Sequence, residues 1–190
     1  MRMLQTLRNL HAGVFGSLDR FVGDGFLSFL ARLVFSSVLL FYFLNSAATK
    51  VGSGFPGILI PQMNGYAQIL PSVMEKVGYD ASQIAFFPYG LIVLAGTYAE
   101  FLLPVLILLG LFTRLASLGM IGFIAVMTYV DIAFHGVDAA TIGAMFDRHS
   151  DAVIADQRLL WVFPLVYLVV RGGGALSLDA LLGHWLFDRS

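Results

Sequence analysis

Four long apolar runs dominate the pattern of hydrophobic and polar positions along the 190-residue chain. Three of them are clear at once, and they comprise residues 26–48, 86–112 and 115–134. The fourth is shorter, because only a dozen residues separate Arg158 from Arg171, but extending it back to Ala152 gives about 20 residues. Since a helix that crosses a bilayer needs about 20 predominantly apolar residues, the pattern predicts four transmembrane helices.

The residues before the first run follow a different pattern. Between Met3 and Val22 the apolar residues recur at helical spacing, with the charged residues mostly on the other side. Such a helix can lie on a membrane surface or dock on the bundle, and the surface position is favoured. Because this stretch is patterned and not uniformly apolar, we expect it to be retained and not cleaved as a signal peptide. The pattern divides the chain into an amphipathic segment, residues 1–25, and a four-helix transmembrane domain, residues 26–185.

Composition supports this interpretation. Hydrophobic residues make up 58% of the chain and charged residues only 12%, whereas soluble domains carry about 25% charged residues. The predicted fold class is therefore an all-α integral membrane four-helix bundle with an N-terminal amphipathic interfacial helix. The net charge of −1 and the absence of basic runs argue against nucleic-acid binding. The chain has no cysteine, which excludes disulfides and thiolate metal sites formed by this chain itself.

The connections between the runs differ in length and charge. Only Thr113 and Arg114 separate the second and third runs, so these helices should be antiparallel neighbours. Residues 49–85 are rich in proline and glycine and are expected to fold over one mouth of the bundle, whereas residues 136–157 are acidic.

The distribution of lysine and arginine predicts the orientation in the membrane. One side carries Arg2, Arg8, Arg20, Arg32, Arg114, Arg171 and Arg189, and the other carries Lys50, Lys76, Arg148 and Arg158. Because cytoplasmic segments carry the excess of these residues, both termini should be cytoplasmic. In the inner membrane of a bacterium, the two long connections would then face the periplasm.

The first two apolar runs each contain one charged residue, Arg32 in the first and Glu100 in the second. At about 1.5 Å of rise per residue, Glu100 lies near the bilayer centre and Arg32 lies about 9 Å away, within reach of an arginine side chain. One interpretation is a carboxylate that handles protons or binds a ligand, with Arg32 holding it ionised. The other is an ion pair that only fixes the packing of two helices. The sequence leaves both open, and both predict contact between Arg32 and Glu100.

A second polar group is predicted nearer to one membrane surface. Asn45 and Asp131 fall at a similar depth, and Lys50, His135 and Arg158 lie just beyond them. Because Asp131 and His135 are four residues apart on one helix face, we expect them to face the bundle interior and to contact Lys50, Asn45 or Arg158.

The same residues raise the question of a metal site. Asp131 and His135 could form half of a metal site or a proton relay, with His149 of the acidic connection as a further candidate ligand. Two ligands without a third are weak support for a metal, so an ordinary interfacial network is favoured.

Aromatic residues suggest a quinone as the one candidate cofactor. They are numerous enough to line a quinone or lipid headgroup pocket, although belts at membrane interfaces use the same residues and are favoured here. The residues concerned are Phe41, Tyr42, Phe43, Phe86, Phe87, Tyr89, Tyr129, Trp161 and Tyr167.

Three segments resemble the DoxX family. The stretch GTYAEFLLPVLILLGLFTRLASLGM is similar to the family's glutamate, GL-x-TR turn and following helix, and RGGGALSLDALL is similar to its closing glycine-rich stretch with SLD. The stretch RLVFSSVLLFYFLNSAATKVG resembles its first helix. Together they cover most of residues 30–183 in the expected order. The family's commoner glycine-proline-glycine is replaced here by residues 172–174, all glycine.

This resemblance implies a four-helix membrane bundle related to subunits of thiosulfate:quinone oxidoreductase and to membrane partners of secreted redox or detoxification proteins. The implied function is an accessory inner-membrane subunit that docks a periplasmic partner and passes electrons to quinone. The alternative is a non-enzymatic partner in copper or oxidative-stress homeostasis, acting as an anchor, chaperone or small-solute conduit. Independent catalysis is less favoured. Besides lipid, the expected partner is a periplasmic or membrane protein, and the sequence leaves a homo-oligomer open.

Overall fold

The computed structural model describes residues 2–187, without the side chains of residues 2, 19–21, 24 and 184–187. This part of the chain contains helices and no β-strand, which confirms the predicted all-α class. The α-helices are α1 (Arg2–Ala48), α2 (Met63–Ile69), α3 (Pro71–Lys76), α4 (Leu91–Leu109), α5 (Thr113–Ala133), α6 (Ala139–Ile142), α7 (Arg158–Arg171) and α8 (Leu178–Phe187). Short 3-10 or π-helical turns lie at Gly57–Leu59, Ala81–Gln83, Phe86–Gly90 and Val153–Gln157.

Four helical stretches within the described residues are long and apolar enough to cross a membrane. They are Gly25–Ala48, Phe86–Leu109, Thr113–Ala133 and Val153–Arg171. All four predicted transmembrane helices are therefore confirmed, including the fourth. That span becomes long enough because a π-helical turn at Val153–Gln157 precedes α7.

The four spans pack in a ring. Helices α4 and α7 each pack against both α1 and α5, so α1 and α5 lie diagonally across the bundle. The core between them is apolar and close-packed. Its largest fully buried side chains include Phe35, Leu39, Phe43, Ile107, Met120 and Leu165.

Helix α1 is interrupted before it enters the first span. Gly23 has non-helical backbone angles, φ 43° and ψ 164°, which a glycine adopts without a steric penalty. Before this break, apolar side chains such as Leu4, Leu10 and Val14 are exposed. Their attachment to a membrane surface, and the division of the chain at residue 25, stay predictions.

The turn between α4 and α5 comprises residues 110–112, so the predicted position at Thr113 and Arg114 is wrong. Gly110 ends α4 in the left-handed conformation, with φ 67°. Its N–H donates to Ile107, and the N–H of Leu111 donates to Leu106, which satisfies carbonyls at the end of the helix. Thr113 can therefore begin α5 directly. We call this end of the bundle the turn end and the opposite end the loop end.

The chain's last described helix is attached to the turn end. The carboxylate of Asp179 accepts hydrogen bonds from the backbone N–H groups of Phe112 and Thr113, at 2.6 and 2.8 Å, and from the Thr113 hydroxyl at 2.7 Å. The N–H of Asp179 donates in return to the Gly110 carbonyl at 2.9 Å. A residue near the start of α8 thus caps the first turn of α5.

The connection between the first two spans folds over the loop end, and it contains α2 and α3 where the sequence suggested only a loop. Tyr66 and Met74 from these helices pack against Val93 of α4. The connection is thereby fixed to the bundle by a small apolar cluster of its own.

Candidate functional site

A buried ion pair joins α4 to Lys50, which lies two residues beyond the end of the first span. The Nζ atom of Lys50 is 2.7 Å from Oε2 of Glu100 and 3.0 Å from Oε1. Only 3% of the Lys50 side chain and 6% of the Glu100 side chain are exposed. Lys50 also donates to the Ser46 hydroxyl at 2.6 Å, one turn back along α1. Both charges are therefore paired within the membrane-spanning part of the bundle.

The backbone around Lys50 explains its burial. The Lys50 carbonyl accepts the N–H of Gln62 at 2.8 Å, and Val51 forms an isolated bridge with Pro61. Gly65 lies so close that a Cβ atom there would be 2.9 Å from the same carbonyl. The connection thus returns over the end of the first span and covers Lys50, and a side chain at position 65 would push it away.

The predicted pairing of Arg32 with Glu100 is wrong. Arg32 is buried at the turn end, where its guanidinium donates to the Leu108 carbonyl at 3.1 Å and to the Leu176 carbonyl. Helical side chains point toward the N-terminus of their helix, which takes the Arg32 guanidinium away from Glu100. The regular helix α4 also begins only at Leu91, so Glu100 lies at its midpoint and closer to the loop end than a count from Phe86 suggests.

A second ion pair joins α5 and α7. Asp131 contacts Arg158, one of its three predicted partners, and Arg158 also donates to the Thr128 hydroxyl at 2.7 Å. The Asp131 side chain is 26% exposed. His135 contacts none of its predicted partners, because its Nε2 atom lies 3.2 Å from the Gln68 carbonyl on the connection above. The functional role of both residues stays a prediction.

The Lys50–Glu100 pair lines a cavity of about 530 Å³ between α1, α4, α5 and the connection over the loop end. Most of the other walls are apolar. The polar lining includes Ser46, Lys50, Gln68, Glu100, Asp131 and His135. The structure therefore brings four of the seven predicted polar candidates to one cavity. Arg32, Asn45 and Arg158 do not line it, and Asn45 is exposed.

The predicted metal ligands are not brought together. Among the side chains that the structure describes, no three histidine, cysteine, aspartate or glutamate residues form a group that could hold a metal ion. His149 lies with Asp138, Asp147 and Asp151 along a separate cavity of about 770 Å³ in the acidic connection. The set of Asp131, His135 and His149 thus gives no support to a metal site.

The aromatic candidates divide between core and surface. Tyr42 lines the cavity that holds the Lys50–Glu100 pair, whereas Phe43 is fully buried and packs edge-on against Phe123 and Trp161. Phe87 and Tyr129 are exposed on the outside of the bundle. Most of this set therefore does not build a ligand pocket.

Several lining residues were missed by the sequence-based predictions. Gly96, Gly119 and Gly122 all line the cavity, and Gln68 and Ile69 close part of its loop end. The only signal for the first three was the spacing of small residues in the second and third apolar runs, which is common in membrane helices and has no specific meaning.

Four spans, paired charges inside the bundle and a largely apolar cavity define a multi-pass helical membrane protein with an internal cavity. The DoxX family model matches residues 27–136, more than half of the chain. The protein belongs to the DoxX family. The matched region includes the first three spans with Lys50, Glu100 and Asp131, while Arg158 and Asp179 lie beyond it. Neither the curated proteins nor the solved structures contain a match to the chain.

Proposed function

We propose that this protein is an inner-membrane accessory subunit of a redox system and that its cavity binds the head group of a membrane quinone. The observation that supports the proposal is the buried Lys50–Glu100 pair on the wall of a mainly apolar cavity. Cofactor sites have this composition: apolar walls that bury the ligand, with a few polar groups that orient it.

The location of the pair favours a functional role over a purely structural one. Each buried ion costs several kcal/mol of desolvation, so a charged residue inside a membrane bundle is by default a candidate for a functional role. A pair that only fixed helix packing could be sealed between two helices. Lys50 and Glu100 instead form part of the wall of a cavity that a ligand can fill.

The ionisable lining suits the chemistry of a quinone. Reduction of a quinone to a quinol consumes two electrons and two protons. In the proposal, a reduced soluble redox protein docks at the loop end and supplies the electrons. The Lys50 ammonium can donate a hydrogen bond to a quinone oxygen, while Glu100 and His135 can transfer protons toward it. The proposed orientation places both termini in the cytoplasm and the loop end in the periplasm.

Binding of a quinone head group without an isoprenoid tail tests the proposal. The purified protein in lipid nanodiscs is titrated with the tail-less benzoquinone, and binding is followed by calorimetry. We expect Glu100→Gln and Lys50→Met to lower the affinity at least about tenfold, because each removes a polar group of the cavity and leaves its partner unpaired.

Glu75→Gln is the matched control, since Glu75 is an exposed carboxylate on α3 outside the cavity. It should bind like the wild type. A wild-type protein that shows no saturable binding, or variants that all bind alike, would contradict the proposed function.

A further inference from the structure

The groove between α4 and α5 is filled nearer the turn end and open nearer the loop end. Near the turn the two helices are in close contact, because a Cβ atom on Gly119 would lie 3.2 Å from Cδ2 of Leu103. At Gly122, one turn closer to the loop end, a Cβ atom would meet no atom within 4 Å, and the residue is exposed. The two helices therefore enclose a cleft that is open nearer the loop end.

This cleft is continuous with the cavity that holds the ion pair. Ile92 and Gly96 on α4 and Gly122 and Val126 on α5 all line that cavity. Ile92 is 45% exposed and Val126 is 62% exposed. Because both residues belong to membrane spans, the surface that they expose faces lipid. The cavity is thus open sideways to the bilayer.

The loop end of the cavity is more restricted. The connection lies across it, since a Cβ atom on Gly96 would be 3.1 Å from Cδ1 of Ile69. Next to this contact, the Gln68 carbonyl meets Nε2 of His135 at 3.2 Å. Access from water must pass this cover, whereas at Gly122 in the cleft between α4 and α5 no described residue lies within 4 Å of an added Cβ atom.

Gly122 itself has no packing role that demands glycine. It lies in regular helix, where glycine is about 1 kcal/mol less favourable than alanine, and its surroundings have room for a side chain. Because Gly122 has no side chain, this part of the cleft stays open.

We infer that the ligand enters from the bilayer between α4 and α5, that its head group lies beside Lys50 and Glu100, and that its apolar tail occupies the cleft at Gly122. The ligand class is a lipid-dissolved amphiphile with a flexible apolar tail. The inference extends the proposed function to the route and the tail, but the route does not depend on the head group being a quinone.

Accessibility from lipid tests the route without any quinone. Ala99 lines the cavity and the chain has no cysteine, so Ala99→Cys provides a single internal thiol. Labelling is measured in liposomes with a membrane-dissolved alkyl maleimide and with a charged, impermeant maleimide. We expect the alkyl reagent to react faster, and Gly122→Phe to slow it about tenfold by filling the cleft. That factor corresponds to about 1.4 kcal/mol of barrier.

Ala125→Phe is the matched control, because Ala125 is an exposed residue one turn further along α5 that does not line the cavity. It should leave labelling unchanged. Faster reaction with the charged reagent, or equal labelling with and without Gly122→Phe, would overturn the route.

A second measurement separates this inference from the proposed function. In the nanodisc titration, Gly122→Phe should lower the affinity for a decyl-tailed quinone about tenfold and leave the affinity for the tail-less quinone almost unchanged. If the wild type does not bind the tail-less quinone, only the proposal of a quinone head group is refuted. Equal effects of Gly122→Phe on both quinones refute the placement of the tail.

Discussion

Lys50 and Arg32 are the buried cations at the two ends of the first span. Both side chains extend toward the N-terminus of α1, as helical geometry favours for Arg32, whereas Lys50 reaches back to Ser46 from beyond the end of the helix. For Arg32 this direction leads to backbone carbonyls at the turn end, and for Lys50 it leads back into the bundle and to Glu100. The direction of each side chain decides which of the two cations reaches the carboxylate.

A double-mutant cycle on Lys50 and Glu100 tests this assignment. Lys50→Met and Glu100→Gln should each destabilise the protein by about 3 to 5 kcal/mol, because the removal of either partner leaves the other unpaired in the membrane. The double variant should be more stable than Lys50→Met alone. The measurement is the free energy of unfolding in mixed detergent micelles.

Arg32→Met combined with Glu100→Gln is the control cycle. These side chains have separate partners, so their effects should add to within about 0.5 kcal/mol. Strong coupling in this second cycle, with additivity in the first, would restore the pairing of Arg32 with Glu100 and refute the one described above.

At the scale of elements, α8 stabilises a turn that lies far from it in the sequence. Asp179→Ala should lower the free energy of unfolding by about 1 to 2 kcal/mol, because the N–H groups of Phe112 and Thr113 lose their acceptor. Asp179→Asn keeps one acceptor oxygen and should cost less. Thermal unfolding followed by circular dichroism measures both.

Asp151→Ala provides the comparison, since Asp151 is an exposed carboxylate in the acidic connection. Its unfolding temperature should equal that of the wild type. If Asp179→Ala and Asp151→Ala unfold at the same temperature, the cap makes no contribution to stability.

The spans themselves were predictable because their signal is local. An uninterrupted apolar run of this length is stable in a bilayer as a transmembrane helix. For the first span, the expected start at Phe26 lies one residue from the observed start at Gly25. The turn at residues 110–112 was placed too late, because hydropathy does not register the left-handed conformation of Gly110 or the distant cap.

The candidate site was predictable only as a set of residues. Glu100, Lys50, Asp131 and His135 were singled out because charges are rare in membranes. Their partners depend on tertiary geometry that no spacing encodes: the return of the connection over Lys50 and the late start of regular helix at Leu91.

At the scale of the whole molecule, the described residues contain four spans, an even number, so the segments that precede the first span and follow the fourth lie on the same side of the membrane, at the turn end. We expect Ser53→Cys and Ser150→Cys, both exposed at the loop end, to react with an impermeant maleimide in intact bacterial cells. The native chain has no cysteine and gives no background.

Ala175 is exposed at the turn end, so Ala175→Cys should react only after the cells are permeabilised. The opposite labelling pattern would place the loop end and the acidic connection in the cytoplasm, and the soluble redox partner would then have to be cytoplasmic.

The cap that Asp179 places on α5 also has a consequence for biogenesis. A ribosome produces the hairpin of α4 and α5 before it reaches residue 179, and at about 5–20 residues per second the hairpin waits several seconds for its cap. During this interval the N–H groups that begin α5 lack the acceptor that they have in the finished protein. Closure of the turn end is therefore a late step of membrane insertion, completed only when the fourth span is in place and α8 has emerged beside the hairpin.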